Sequence, residues 1–332
     1  MSEPTDIAPG PEATPAEVTP AAPPDEAAAP DQAAAPFDVV VLGSVNIDHV
    51  VVADTFPAPG ETILGRSART GLGGKGSNQA VAAALAGART AMVARVGDDA
   101  EGGRARDGLA VRGVDVSRVT ATPGAGTGSA WITVAERDNT IIVVAGANHA
   151  WPAGVTPWDG VTGQVLLAQL EIPLDVVAGA AAAHTGSFLL NAAPAAPLPD
   201  ELLARCDVLI VNEHEQNVVA GLPAGTPVAD AHARLRARGA RAVVTTLGAE
   251  GAVVTDADGR TAPVAAVPAP DVVDTTGAGD AFAGVLAARL AAGDDLAEAA
   301  RWGAAAGSLA VRAAGAQESY ADAGTLRRTV TG

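Results

Sequence analysis

Five short apolar runs, Val39 to Leu42, Ala91 to Val96, Val165 to Leu170, Val208 to Val211 and Ala242 to Thr246, recur along the chain with helix-like stretches such as Asp230 to Arg238 between them. Strands that alternate with helices in this way argue for a parallel sheet sandwiched by helices. Two stretches read differently: Val50 to Thr70, and Ser129 to Val144, where Asp138-Asn139 separates Trp131 to Val134 from Ile141 to Val144. These are expected to be antiparallel strands joined by a turn. A small isolated sheet has an apolar face that a substrate, a partner subunit or both must cover.

Polar groups cluster where the strands end. Asn46 and Asp48 follow the first run, the position expected of side chains projecting from a strand's carboxyl end toward a ligand. Gly73-Gly74-Lys75-Gly76-Ser77-Asn78 then leads into an alanine-rich helix, Gln79 to Ala86, closed by Gly87. Lys75 is the only lysine beside twenty arginines. A composition that keeps one lysine between glycines points to a need for a compact ammonium that a planar guanidinium does not meet.

Asp274-Thr275-Thr276-Gly277-Ala278-Gly279-Asp280 opens a further apolar run from Ala281 to Leu290. The amides of Gly277, Ala278 and Gly279 can converge on a phosphate at a helix N-terminus, where the dipole is also favourable. A carboxylate at Asp280 is poorly placed to bind that anion but well placed to accept a proton from a hydroxyl attacking it, which is kinase chemistry. The competing reading makes Asp280 only the cap of its helix.

Composition narrows the partners. The 332 residues carry a net charge of −17, and seven of those negative charges lie in the first 36 residues, which hold eleven Ala, nine Pro and no basic group. That segment lacks the features of a signal peptide and is expected to be a disordered tail, with the folded domain spanning 37–325. The acidic balance of the remainder disfavours nucleic acid, and no apolar run is long enough to span a bilayer. A single cysteine, Cys206, excludes an intrachain disulfide and fits a reducing cytoplasm.

Three rival motifs fare worse. Gly71-Leu72-Gly73-Gly74-Lys75-Gly76 with Asp98 and Asp99 beyond it fits a dinucleotide fingerprint, but an earlier strand already carries Asn46 and Asp48, whereas that fingerprint belongs at the first strand of its unit. A phosphate-binding loop of the Walker type fails, because position 69 is Arg and Lys75 is followed by Gly. Glu213-His214-Glu215 does not place its side chains on one face as a transition-metal site requires.

Nine short strings in order resemble the ribokinase-like carbohydrate kinases of the phosphofructokinase B type. They are Gly43-Ser44-Val45-Asn46-Ile47-Asp48-His49, Pro59 to Thr62, Gly73 to Ala80, Gly97 to Asp99, Ala145 to Asn148, Gln169-Leu170-Glu171, Asn212 to Glu215, Thr246-Leu247-Gly248 and Asp274 to Asp280. The resemblance runs from Phe37 to Tyr320. It implies a three-layer α/β sandwich with a mostly parallel central sheet and a small antiparallel β lid, which often also serves as a homodimer interface.

The implied activity is ATP-dependent phosphorylation of D-ribose at its 5-hydroxyl to give D-ribose 5-phosphate, the alternative being another sugar, deoxyribose or a nucleoside. By resemblance, Asn46, Asp48, Gly74, Lys75, Gly76, Ser77, Asn78, Glu171 and Asp280 surround the sugar. Asp280 is the general base, the amides of Gly277, Ala278 and Gly279 stabilise charge on the transferred phosphoryl group, and Lys75 is counted with them among the catalytic residues. Asn212, the turn Thr246-Leu247-Gly248-Ala249-Glu250-Gly251, Gly279 and Asp280 meet the nucleotide. Glu215 acts on Mg2+ through water, and Asp274, Thr276, Ala310, Ala313, Gly315 and Ser319 hold K+. The chain departs from the family at Ala304, where a histidine or similar polar group is common near the adenine, and at Glu318, where proline is usual beside the cation loop.

Overall fold

The computed structural model describes residues 37–332 apart from 137, 153–157 and 159; the expected disordered tail lies outside the described residues. Among the described residues the five apolar runs form parallel strands β1 (Phe37–Leu42), β4 (Thr90–Gly97), β8 (Gly163–Ala168), β10 (Val208–Asn212) and β11 (Ala242–Thr246), and two further strands, β5 (Val114–Thr122) and β9 (Ser187–Asn191), join them in the same direction. An antiparallel pair, β12 (Ala252–Thr255) and β13 (Thr261–Val264), extends one edge. The nine strands run in the order β13-β12-β11-β10-β9-β8-β1-β4-β5. β1 is an interior strand and later strands add on both sides of it, so the order reverses beside β1 and a crevice opens there at the carboxyl ends.

Side chains alternate across the sheet and divide the helices between two cores. Val39, Val41, Met92 and Ile210 face one layer, made of α1 (Lys75–Leu85), α2 (Ala100–Val111), α7 (Ala278–Ala291) and α8 (Leu296–Ala310). Val40, Leu42, Val93 and Leu209 face the other, made of α3 (Leu174–Ala183), α4 (Asp200–Leu203), α5 (Glu213–Ala220) and α6 (Val228–Ala237). A last helix, α9 (Ala323–Thr331), docks Leu326 on a small third cluster around Trp302.

Within the first layer, α7 crosses α1 at very short range. A Cβ on Gly284 would lie 2.4 Å from the Gln79 carbonyl oxygen, so only glycine permits the approach. Glycine inside a helix costs about 1 kcal/mol relative to alanine. What the crossing yields is a carboxylate one turn earlier, Asp280, pressed against the first turn of α1.

The second sheet runs in the order β3-β2-β6-β7, with β2 (Asn46–Val52), β3 (Ser67–Gly73), β6 (Gly128–Ala135) and β7 (Asp138–Val144). Its outer pairs are antiparallel, as expected, but its central pair, β2 with β6, runs parallel. The reason is topological: each leaves the carboxyl end of a parallel strand, β1 or β5, and continues in the same direction. The sheet also starts earlier than the expected Val50, so Asn46 and Asp48 sit on β2. β7 is exposed along its whole length, including Ile141, Ile142, Val143 and Val144.

Candidate active site

Five strands deliver polar side chains to one end of the main sheet. Asn46 and Asp48 come just after β1, Gln169 and Glu171 just after β8, and Asn191, Asn212 and Thr246 are the last residues of β9, β10 and β11. Asn191, Asn212 and Thr246 from three of these strands, with Lys75, Glu215 and the turn into α7 at Gly277, Gly279 and Asp280, line a cavity of about 240 Å³; Asn46, Asp48, Gln169 and Glu171 lie outside that lining.

Gly277 starts α7 in the left-handed region at φ 77°, and a Cβ there would meet the Tyr320 hydroxyl at 2.6 Å and the Ala316 Cβ at 2.7 Å. The turn therefore demands glycine on two counts, conformation and space. The Ala278 amide of the expected cradle reaches the Thr275 carbonyl at a long 3.3 Å, a bond readily exchanged for a stronger acceptor.

Asp280 is 6% exposed and makes no cap to its own helix. Its Oδ2 accepts from Asn78 Nδ2 at 2.9 Å and its Oδ1 from Gln79 Nε2 at 2.9 Å, both on α1. Gln79 is fully buried and also donates to Asn191 Oδ1 at 2.9 Å, while its own Oε1 accepts from Gln169 Nε2 at 2.7 Å. Gln317 Nε2 donates to Asn78 Oδ1 at 3.0 Å and so fixes which end of that amide faces Asp280. None of Gln79, Gln169, Asn191 and Gln317 is a site residue on sequence grounds, yet they hold the carboxylate in place.

On the sugar side, β2 and β3 pair so that Asp48 lies opposite Gly71 and Asn46 opposite Gly73. A Cβ on Gly73 would come within 2.2 Å of Asp48 Oδ1, and one on Gly74, at φ 88°, within 2.8 Å of the Asn46 amide. The glycines leave room for the carboxylate to turn inward. Burial, then the charge of Glu171, pushes the Asp48 carboxyl up to about 6, with Arg69 opposing and Glu318 and Asp280 adding smaller upward contributions.

Glu171 Oε2 accepts from Ser44 Oγ at 2.5 Å and from the Lys75 amide at 3.0 Å, tying β8 to the start of α1. The Lys75 ammonium is held above its ordinary range, chiefly by the charge of Asp280, against the opposing effect of burial. Asn46 accepts from Asn148 Nδ2 at 2.7 Å.

Two expected sugar ligands do other work. Gly76 packs on the Ser44 backbone, where a Cβ would lie 2.5 Å from the Ser44 amide, and its own amide donates to Ser44 Oγ at 3.2 Å. Ser77 is fully buried, its hydroxyl bonded to the Gly73 carbonyl and its amide to the Ser44 carbonyl at 2.9 Å. Both are inward-facing positions of the first turn of α1, where they join helix to strand. Asn78, engaged at both ends, orients Asp280.

On the nucleotide side, Asn212 caps α5 and Glu215 completes the capping box by accepting from the Asn212 amide at 2.8 Å. Burial pushes the Glu215 carboxyl up, with Lys75 opposing. Leu247 to Gly251 close the β11–β12 turn, where the Leu247 amide donates to the Gly251 carbonyl at 2.8 Å; of this turn Thr246 lines the cavity, and the other residues lie beyond it.

Asp274 Oδ1 accepts from the Thr276 amide at 2.9 Å and hydroxyl at 2.7 Å, and its Oδ2 from the Gly315 amide at 3.0 Å. Despite partial burial, these donors hold its carboxyl below the ordinary range. Asp99, the acid of the rival dinucleotide reading, instead caps α2 through Gly102 and fastens Thr127. His49 stacks on Trp131 across the lid, and His232 sits buried between the hydroxyls of Thr245 and Thr255.

A buried carboxylate aimed past a glycine-rich helix N-terminus, at the crevice of a parallel sheet, defines a small-molecule phosphotransferase. Residues 37–323 match the pfkB family carbohydrate kinases, and the chain belongs to that family. It is 36% identical over 294 residues to a ribokinase of Haemophilus influenzae, covering 85% of this chain and 94% of that one. A ribokinase of Schizosaccharomyces pombe is 39% identical over 300 residues, again covering 85% and 94%. The structure of Arabidopsis thaliana ribokinase complexed with ribose and ATP superposes with a TM-score of 0.85 at 32% identity, covering 90% of this chain and all of that chain.

Proposed function

We propose that this protein transfers the γ-phosphoryl group of ATP to the 5-hydroxyl of D-ribose, giving D-ribose 5-phosphate and ADP. The observation that carries the reading is the Asp280 carboxylate, buried and clamped by two amides beside the N-terminus of α7. As the hydroxyl oxygen bonds to phosphorus, its proton passes to Asp280 and the bond to the bridging oxygen of ADP breaks. Proton removal by such a base is typically worth ~10²- to 10⁴-fold. The amides of Gly277 to Gly279 meet the charge of the transferred group, with Lys75 beside them. Asp48 and Glu171, with the amide of Asn46, suit the adjacent hydroxyls of a small polyol.

Among the described residues no cluster of three or more His, Cys, Asp and Glu side chains could cage a metal. That suits Mg2+, which binds mainly through nucleotide phosphates and water, with Glu215 as its indirect carboxylate. Bound there, the ion would neutralise charge on the phosphates. The oxygen-rich loop of Asp274, Thr276, Ala310, Ala313, Gly315 and Ser319 offers one carboxylate among hard ligands, a set suited to K+. Glu318 and Arg69 crowd this loop: a Cβ on Gly315 would lie 2.8 Å from Glu318 Oε2 and 3.4 Å from Arg69 Nη1.

The exposed apolar stripe of the lid, Trp131 with Ile141 to Val144, is the surface through which two copies would pair. Among the described residues no helix is long and apolar enough to cross a membrane, and the buried thiol of Cys206 suits a reducing cytoplasm.

A coupled ADP-release assay over D-ribose, 2-deoxyribose, fructose and adenosine tests the reading, with D-ribose expected to give the highest kcat/KM. Asp280→Asn keeps the shape of the side chain and should lower turnover by at least ~10²-fold while sugar binding persists. A nucleoside or hexose as the best substrate, or normal turnover in that variant, would overturn it.

A further inference from the structure

Tyr320 is the only tyrosine in the chain, and it points at the anion cradle from below. Its hydroxyl donates to the Gly277 carbonyl at 2.9 Å, and the same carbonyl accepts from the Ala281 amide at 2.8 Å. Two donors on one carbonyl fix the plane of the peptide that joins Gly277 to Ala278. The amide nitrogen of that plane belongs to Ala278, so the direction of its N–H is set by what grips the carbonyl on the other side; that N–H meets the Thr275 carbonyl at a long 3.3 Å, a weak bond that a phosphoryl oxygen beside it would displace without turning the peptide plane. Ala316 Cα and Cβ pack on the same glycine, and Gln317 in the next position holds Asn78. One short segment, 316–320, thus braces the cradle and the carboxylate together.

We propose that Tyr320 is a positioning residue for phosphoryl transfer, acting through the Gly277 carbonyl to aim the Ala278 amide at the transferred group. The proposal rests on the reading of the Gly277 to Gly279 amides as the phosphoryl site. A cradle must be stiff before the charge arrives, because donors that reorient during the reaction forfeit part of their stabilisation. The helix bond alone restrains the carbonyl along the α7 axis, and the phenol supplies the second, sideways restraint.

The test is Tyr320→Phe, which keeps the ring and deletes only the hydroxyl, leaving Gly277 still bonded to Ala281. Turnover should fall roughly three- to tenfold, the scale of one hydrogen bond, with the KM for ribose and the dissociation constant of ADP unchanged. A second measurement compares binding of ADP alone with binding of ADP plus aluminium fluoride, in the presence of ribose and Mg2+. Wild type should bind the fluoride complex more tightly, and Tyr320→Phe should lose most of that gain. If wild type gains nothing from the fluoride, the amide cradle itself is misassigned. If wild type gains and Tyr320→Phe gains equally with normal turnover, the cradle stands and the role of Tyr320 is refuted. Equal losses in ribose binding and turnover would also refute it, because they would mark a purely structural residue.

Discussion

Replacing Gln79 by methionine keeps the volume of the side chain but removes every hydrogen bond it makes, and the structure sets the size of the loss. Gln79 is fully buried, so water cannot enter to replace it. Asp280 Oδ1 loses its donor, a bond to a charged group worth ~1.5–3 kcal/mol. Asn191 Oδ1 loses its donor too, though Asn191 Nδ2 keeps the Ile210 carbonyl at 3.2 Å. Gln169 fares worst, since its Oε1 already has no hydrogen-bond partner among the described residues and its Nε2 would lose the only one it has. Each stranded neutral group costs ~1–3 kcal/mol, and the apolar thioether offsets a part, leaving a net destabilisation of roughly 3–5 kcal/mol. At ~2–4 °C per kcal/mol for a domain somewhat smaller than this one, the midpoint of thermal unfolding should fall by about 10 °C. Turnover should fall at least ~10-fold, because Asp280 keeps one fixed donor of two. Urea unfolding and the ADP-release assay on the same preparation measure both effects. A loss under ~1 kcal/mol together with normal turnover would show that the amide chain is neither a support of the fold nor a support of the base.

Two further outcomes follow from the charged and the apolar ends of the lid. Asp48 has a folded-state pKa of about 6 against an ordinary 3.8, so the folded form holds its proton longer than the unfolded form. Stability from this group is therefore unaffected below pH ~4, falls as pH rises between the two values, and is lowest above about 6, by at most ~3 kcal/mol. Asp48→Asn should stabilise the sugar-free protein by ~1–3 kcal/mol at pH 8 and hardly at all at pH 3.5, while weakening ribose binding; equal gains at both pH values in urea titrations would contradict the linkage. Ile142 is 68% exposed on β7, and Ile142→Glu should convert a dimer to a monomer in light scattering without lowering the unfolding midpoint. A wild-type protein that is already monomeric would sink the lid interface.

How much of this was legible in the sequence depends on how local each feature is. The parallel sheet could be read because strands covered on both faces leave runs such as Val208 to Val211, which no other element needs. The turn at Gly277 and the carboxylate three residues on were legible for the same reason: a helix N-terminus is a local object, and its residues are contiguous. The parallel pairing of β2 with β6 was not, because pairing direction is decided by where each strand leaves the main sheet. The true start of β2 at Asn46, four residues before the expected Val50, was not legible either, since the polar members of Asn46-Ile47-Asp48-His49 mask the start of a strand whose buried partner is Ile47.

The amides around Asp280 were illegible for a different reason. Gln79 is 201 positions from the carboxylate it holds, and Gln317 is 239 from Asn78, so no spacing rule connects them. A glutamine in an alanine-rich helix reads as a surface residue until the close crossing at Gly284 buries it. The choice of amides is itself chemically pointed. Neutral donors fix the direction of a carboxylate without themselves supplying a formal positive charge. The chain's one lysine lines the same cavity, while the direction of the Asp280 carboxylate is set by Asn78 and Gln79.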